Sequence, residues 1–133
     1  MKLITHNLLM CNKKGCTANN FPLRLVASKV ELYSEEALME YSKPLMQRLL
    51  EKLDINALRQ TASELNWEDC QPIPDEDTIR AQNLIENEEF LQNLHRLCCS
   101  RHITEGLMVC NNCQREYPIK NGIANMLLNE DEV

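Results

Sequence analysis

The 133-residue sequence predicts an α+β protein. A small metal-binding β module is expected from both ends of the chain, residues 1–33 and 103–133, with a helical domain of about three helices, residues 34–102, inserted between them. Three observations carry this. Cysteine pairs stand near opposite ends, Cys11 with Cys16 and Cys110 with Cys113. Strand-like alternation flanks each pair, whereas the middle of the chain repeats its apolar residues at helical spacing. The cysteines number 7, and an odd count cannot close a complete intramolecular disulfide framework, so metal is the better use for them.

Lys2 to Met10 reads as a strand leading into the first thiol loop, where Gly15 is free to take φ > 0. Leu23 and Leu25 alternate with Arg24, and Val30 and Leu32 alternate with Glu31. The change of phase between them predicts two short antiparallel strands joined by a tight turn. From Ser34 the period becomes helical. Leu45, Met46, Leu49, Leu50 and Leu53 fall on one face of a first helix, with Pro44 tolerated in its first turn. Asp54 reads as the N-cap of a second helix whose buried stripe is Ile55, Leu58, Ala62 and Leu65. Trp67 to Asp77, with two prolines among acids, reads as a loop. Asn87 caps a third helix bearing Phe90, Leu91, Leu94, Leu97 and Cys98 on one face. Ile103 to Cys110 returns to strand, Gln114 to Pro118 is strand-like, Asn121-Gly122 marks a turn, and an apolar strand follows. The last acids, Glu130 to Glu132, read as a solvated tail.

A net charge of -6 and a pI near 5.1 argue against a free-standing nucleic-acid binder, which needs a basic face to neutralise phosphates. Aromatic content of 5% is poor material for base stacking. The N-terminal stretch lacks the apolar run and small-residue cleavage site of a secretory signal, and no window approaches a membrane span. A cytoplasmic or nuclear setting is therefore expected, where thiols stay reduced.

Four thiolates from Cys11, Cys16, Cys110 and Cys113 suit zinc, a borderline-soft ion that favours tetrahedral coordination. With every position filled by protein, such an ion is structural. Lys13, Lys14 and Arg115 lie close enough in sequence to offset the charge of the cluster. Cys98 is expected to be buried packing and Cys70 a free thiol. The histidines His6, His95 and His102 have no partner at telling spacing, and no catalytic constellation is visible. The chain instead holds surplus apolar residues, Leu8 to Met10 at one end and Ile123 and Met126 to Leu128 at the other. Burial on both faces of a short strand implies either intrachain packing or a partner that adds a strand. An alternative reading is a module that binds RNA itself through Lys13, Lys14 and Arg115.

Three stretches carry a resemblance: MKLITHNLL at the start, FPLRL at residues 21–25, and EGLMVCNNCQREYPIKNGIANMLL at the end. Together they resemble the small activator subunit of eukaryotic and archaeal methyltransferases, and the last is also similar to very short bacterial zinc-ribbon proteins. The resemblance implies a zinc-ribbon-like module built from both termini with a helical insertion, and zinc on Cys11, Cys16, Cys110 and Cys113. It implies a non-catalytic subunit in heterodimers with class I, S-adenosylmethionine-dependent methyltransferases acting on tRNA, rRNA or a translation release factor. RNA contact would then be indirect. The family's partner surface maps to Leu8, Leu9, Ile119, Gly122, Ile123, Ala124, Asn125, Met126 and Leu127. Two positions depart from the family pattern. Gln114 stands where a glycine usually follows the second C-terminal cysteine, and Ala124 stands where a proline is usual.

Overall fold

A computed structural model of the chain describes residues 1–32, 41–68 and 70–133. Its sheet has strands β1 (Arg24–Leu32), β2 (Arg101–Val109), β3 (Glu116–Lys120) and β4 (Ile123–Ala124), all antiparallel and ordered β1-β2-β3-β4. The long pair runs from Arg24 opposite Val109 to Leu32 opposite Arg101, with its register shifting between Ala27 and Val30. One strand with a bulge thus replaces the two strands and turn expected for residues 21–32. An extra residue on one side of a ladder flips the alternation without reversing the chain.

The first expected strand is also absent. Leu3–His6 forms a short helix, α1. Leu3 and His6, three positions apart, are both buried, which is helical rather than strand spacing. Just beyond, Asn7 exchanges two hydrogen bonds with the backbone of Asp54: its Nδ2 donates to the carbonyl at 3.0 Å, and its Oδ1 accepts from the N–H at 2.9 Å. This joins the N-terminal segment to the helices.

Those helices are α2 (Lys43–Lys52), α3 (Ile55–Leu65), α4 (Glu76–Ala81) and α5 (Glu88–Cys99). Pro44 lies in the first turn of α2, where Met46 and Leu50 point inward. Leu45 does not join them; it is 54% exposed, at the margin of the apolar stripe. Asp54 caps α3 by accepting from the Ala57 N–H at 3.0 Å, and Asn87 caps α5 by accepting from Phe90. Leu91, Leu94, Leu97 and Cys98 are buried along α5, as their spacing predicts. The loop after Trp67 is shorter than expected. Asp75 accepts from the Thr78 N–H at 2.7 Å and starts α4 inside the stretch read as irregular. The onset of helical pattern at Ser34 lies outside the described residues.

At the C-terminal end the apolar strand contracts to β4's two residues, because the Asn121-Gly122 turn leaves only Lys120 and Ile119 to pair with Ile123 and Ala124. Glu130–Glu132 then forms a single 3-10 turn, and Glu132 is 7% exposed. The tail is therefore docked rather than solvated, for a reason found beside the four-cysteine cluster. Among the described residues, no helix is long and apolar enough to cross a membrane.

Candidate metal centre and apolar edge

The pairing of Arg24 with Val109 sets the geometry of the site, because Cys110 follows directly after β2 and the first thiol loop, closed at Asn20, leads through Phe21 to Leu23 into β1. That loop is closed on itself. Cys11 N–H donates to the Asn20 carbonyl at 3.0 Å, and the Asn20 amide donates back to the carbonyls of Cys11 and Cys16 at 2.9 and 3.3 Å. Cys16 N–H reaches Lys13 O at 2.9 Å, with Gly15 at φ +83° completing the turn. The second loop is closed by Cys110 N–H to Arg115 O and Gln114 N–H to Cys110 O, both 3.0 Å. Gln114 takes φ +62°, so the turn usually made by glycine forms here with a side chain in the left-handed region. Its Nε2 donates to Asn111 O at 3.2 Å.

The two loops bring Cys11, Cys16, Cys110 and Cys113 together, with all four sulfurs within 4.8 Å of one another. Cys11 faces Cys113 at 3.6 Å and Cys16 faces Cys110 at 3.5 Å, too far for disulfides; all four are free thiols. A tetrahedral zinc with bonds of about 2.3 Å sets its sulfurs roughly 3.8 Å apart, so this cluster needs only a small contraction of its longer edges. Four thiolates this close repel, and a cation at their centre removes the conflict. The thiols already differ in acidity. Burial opposes ionisation of Cys110, but backbone N–H groups of Cys113 and Asn112 turned toward its sulfur bring it down to about 7. For Cys16 the Asn112 amide favours the thiolate, yet desolvation and the neighbouring thiols outweigh it and push the group up to about 12.

Donors to the sulfurs come from residues the sequence did not single out. Asn112 gives its backbone N–H to Cys110 Sγ at 3.4 Å and its side-chain amide to Cys16 Sγ at 3.2 Å. The buried Tyr117 hydroxyl donates to Cys11 Sγ at 3.0 Å. Burial, and then the bond to Cys11, raise the phenol pKa well above its ordinary value, so it remains a donor. Such outer contacts orient thiolates and disperse their charge. The expected charge compensation by Arg115 takes a different form: its guanidinium pairs with Glu132 and lies 4.6 Å over the Tyr117 ring. The basic trio of the RNA-binding reading thus loses Arg115 to an internal ion pair whose side chains are only 17% and 9% exposed.

The residues expected at a partner surface divide into three groups. Leu8, Ile123 and Leu127 are 72%, 71% and 80% exposed. Asn125 is exposed, while Leu9, Gly122, Ala124 and Met126 are half-buried. Ile119 is 1% exposed and belongs to the core, because β3 alternates and turns Tyr117 and Ile119 inward together; it has no surface to offer. Ala124 pairs with Ile119 in β4, the outermost strand on that side of the sheet. Gly122 is held at φ +76° with the His102 ring against it, where a Cβ would come within 2.1 Å of Nε2.

Residues 2–122 match the Trm112p-like protein family. The chain is 39% identical over 135 aligned positions to the multifunctional methyltransferase subunit trm112 of Schizosaccharomyces pombe, covering all of both chains. It is 37% identical over 133 positions to the multifunctional methyltransferase subunit TRM112 homolog A of Arabidopsis thaliana, again over all of both. The Saccharomyces cerevisiae subunit TRM112 is 36% identical, with 96% of each chain covered. A chain of the solved Mtq2–Trm112 complex of E. cuniculi, described as responsible for methylating the eRF1 translation termination factor, superposes with a TM-score of 0.53. At 19% identity, covering 96% of this chain and 95% of that one, it is a likeness of fold.

Proposed function

The chain belongs to the Trm112p-like family, and we propose that it is a non-catalytic subunit that binds and stabilises methyltransferase catalytic subunits as a heterodimer. The observation in the structure that carries this reading is the uncovered apolar edge. Ile123 and Leu127 stand exposed at and just beyond β4, which among the described residues has a strand neighbour on one side only. An open edge beside apolar side chains is what strand addition by another chain requires: the backbone supplies affinity and the side chains supply fit. A partner bound only in its folded form is stabilised by mass action, so holding a catalytic subunit folded needs no chemistry from this chain.

The four-cysteine cluster is proposed to hold a structural zinc ion, supported by its sulfur spacing and by the donors from Asn112 and Tyr117. Cys11, Cys16, Cys110 and Cys113 would hold it, and it would supply cross-linking and folding energy. In zinc-finger peptides this amounts to about 10–16 kcal/mol of apparent binding energy, comparable to the whole stability of a small domain. The substrates of the assembled enzyme are proposed to be tRNA, rRNA or a translation release factor, and the setting cytoplasmic and nuclear.

The test is co-purification of the full chain with a methyltransferase catalytic subunit. Ile123→Glu should abolish capture while leaving bound zinc at wild-type stoichiometry, since Ile123 is 71% exposed and pairs with Lys120, outside both thiol loops. Undiminished capture by Ile123→Glu would refute the edge as the docking surface.

A further inference from the structure

Glu132 lies where three parts of the chain meet. Its carboxylate accepts from Arg115 Nε at 2.9 Å and Arg115 Nη2 at 3.1 Å, a two-point grip, and also from the Asn129 N–H at 3.0 Å. Its backbone carbonyl accepts from the N–H of Lys14, within the first thiol loop, at 2.6 Å. Arg115 is itself part of the second thiol loop, since its carbonyl receives the Cys110 N–H. The same guanidinium donates from Nη2 to the Leu127 carbonyl at 3.0 Å, and it stacks on the ring of Tyr117, whose hydroxyl bonds to Cys11 Sγ. One residue therefore spans both thiol loops, its carboxylate on Arg115 and its backbone carbonyl on Lys14, and its arginine partner grips the exposed apolar stretch at Leu127.

Within the stretch after β4, Met126 and Leu128 pack partly buried against the core, and the backbone around them is held by local hydrogen bonds. Asn125 N–H reaches Pro118 O at 2.9 Å, and Leu127 N–H reaches the side chain of Asn125 at 3.0 Å. Beyond Leu127 the chain is held by Leu128, packed partly buried against the core, and by Glu132 and the turn it closes. Remove the ion and both loops lose their common anchor. The Lys14 N–H and the Arg115 side chain then need not stay in register for Glu132 to hold.

We propose that Arg115 and Glu132 are positioning residues that form a latch, coupling occupancy of the four-cysteine site to the shape of the apolar docking segment at residues 125–128. The chain thereby presents its partner edge in the metal-loaded state and loses it in the metal-free state. The docking half of this proposal rests on the function proposed above. Linkage makes the coupling reciprocal: partner binding tightens the metal by the same factor by which metal tightens the partner.

The experiment is residue-level amide hydrogen exchange on the full chain, loaded with zinc, comparing wild type with Glu132→Ala. Amides over 125–132 should exchange at least tenfold faster in the variant, while those of β1 and β2 keep their wild-type rates. Equal rates over 125–132 in the two zinc-loaded proteins would overturn the latch. A second arm removes zinc from wild type with a chelator; the 125–132 amides should lose protection at least as early as those of the sheet, and protection that persists there after the metal is gone also overturns it. The third arm titrates both zinc-loaded proteins with a methyltransferase catalytic subunit. Affinity about tenfold weaker for Glu132→Ala supports the coupling. An unaltered affinity with altered exchange removes segment 125–128 from the docking surface and overturns that half, leaving the latch. Failure of the wild-type chain to bind any catalytic subunit would instead refute the proposed function.

Discussion

Tyr117→Phe isolates what one hydroxyl does for the metal. The ring stays in place, still buried and still under the Arg115 guanidinium, and only the 3.0 Å bond to Cys11 Sγ is deleted. The acceptor in the loaded site is a thiolate shielded from water, since Cys11 is 0% exposed and no solvent hydrogen bond replaces the lost one. Hydrogen bonds to charged groups contribute about 1.5–3 kcal/mol, and each 1.4 kcal/mol is tenfold in affinity, so zinc should bind about 10- to 100-fold more weakly. That agrees with the usual cost of losing a group that orients a metal ligand. Competition against a chromophoric chelator measures the affinity directly, and cobalt substitution should shift the sulfur-to-metal absorption because the Cys11 thiolate becomes more electron-rich. Zinc affinity within twofold of wild type, with an unshifted cobalt spectrum, would show that the hydroxyl does not act on the bound metal.

Two further perturbations address the parts around the site. Asn7→Ala removes both hydrogen bonds to Asp54 and should cost about 1–3 kcal/mol in chemical denaturation with zinc content unchanged, because the join between α1 and the helices lies away from the thiols. A loss below 0.5 kcal/mol would mean that packing alone holds the two together. Burial keeps the His6 imidazole below its ordinary value of 6.5, with the Leu23 carbonyl working against that shift. As pH falls, the unfolded chain therefore takes up a proton before the folded one. Stability is full above about 6.5 and is lost as the pH drops through that value towards the lowered one. His6→Gln can still donate to Leu23 O, so the fall in stability from pH 8 to pH 6 should be smaller than in wild type. Acid loss of metal is common to both proteins and cancels in the difference; equal falls would assign the pH dependence elsewhere.

What the sequence revealed and what it hid follow one division. Local chemistry was legible: Asp54 and Asn87 announce their helices because an Asx side chain can bond an N–H three residues on, whatever the remainder of the chain does. The cysteines were legible despite sitting 94 and 102 residues from their nearest sulfur neighbours, because free thiols in spaced pairs have few other uses. Interactions that need one particular distant residue were not legible. The Tyr117 hydroxyl finds its sulfur 106 positions away, and an acid-rich ending reads as solvated until Arg115 is seen to fill the space beside Glu132. Short elements failed for another reason. Four residues of α1 carry barely one turn of periodicity, and one bulged residue in β1 imitates a turn by reversing the phase. Ile119, placed by the resemblance on the partner surface, is turned inward with Tyr117 by the alternation of β3, which a list of matched positions does not show.

On the zinc reading proposed above, the sheet, more than the thiol loops, should set the metal affinity, and a substitution remote from sulfur tests it. The loops form locally, each closed by its own hydrogen bonds, but the two halves of the site meet only because β1 and β2 are in register from Arg24/Val109 onward. Gly106 sits on β2 opposite Ala27, where the bulge presses the strands together, and a Cβ there would lie 2.4 Å from the Val26 carbonyl oxygen. Backbone cannot rotate away as a side-chain tip can, so Gly106→Ala must spread the strands, at a cost of about 1–3 kcal/mol by analogy with overpacked cores. If folding and metal closure are one process, the same free energy appears as weaker zinc binding, about 5- to 100-fold, although all four cysteines and their donors are intact. Should Gly106→Ala lower chemical stability yet bind zinc as tightly as wild type, the loops would find each other without the sheet, and the metal would organise the strands rather than the strands the metal.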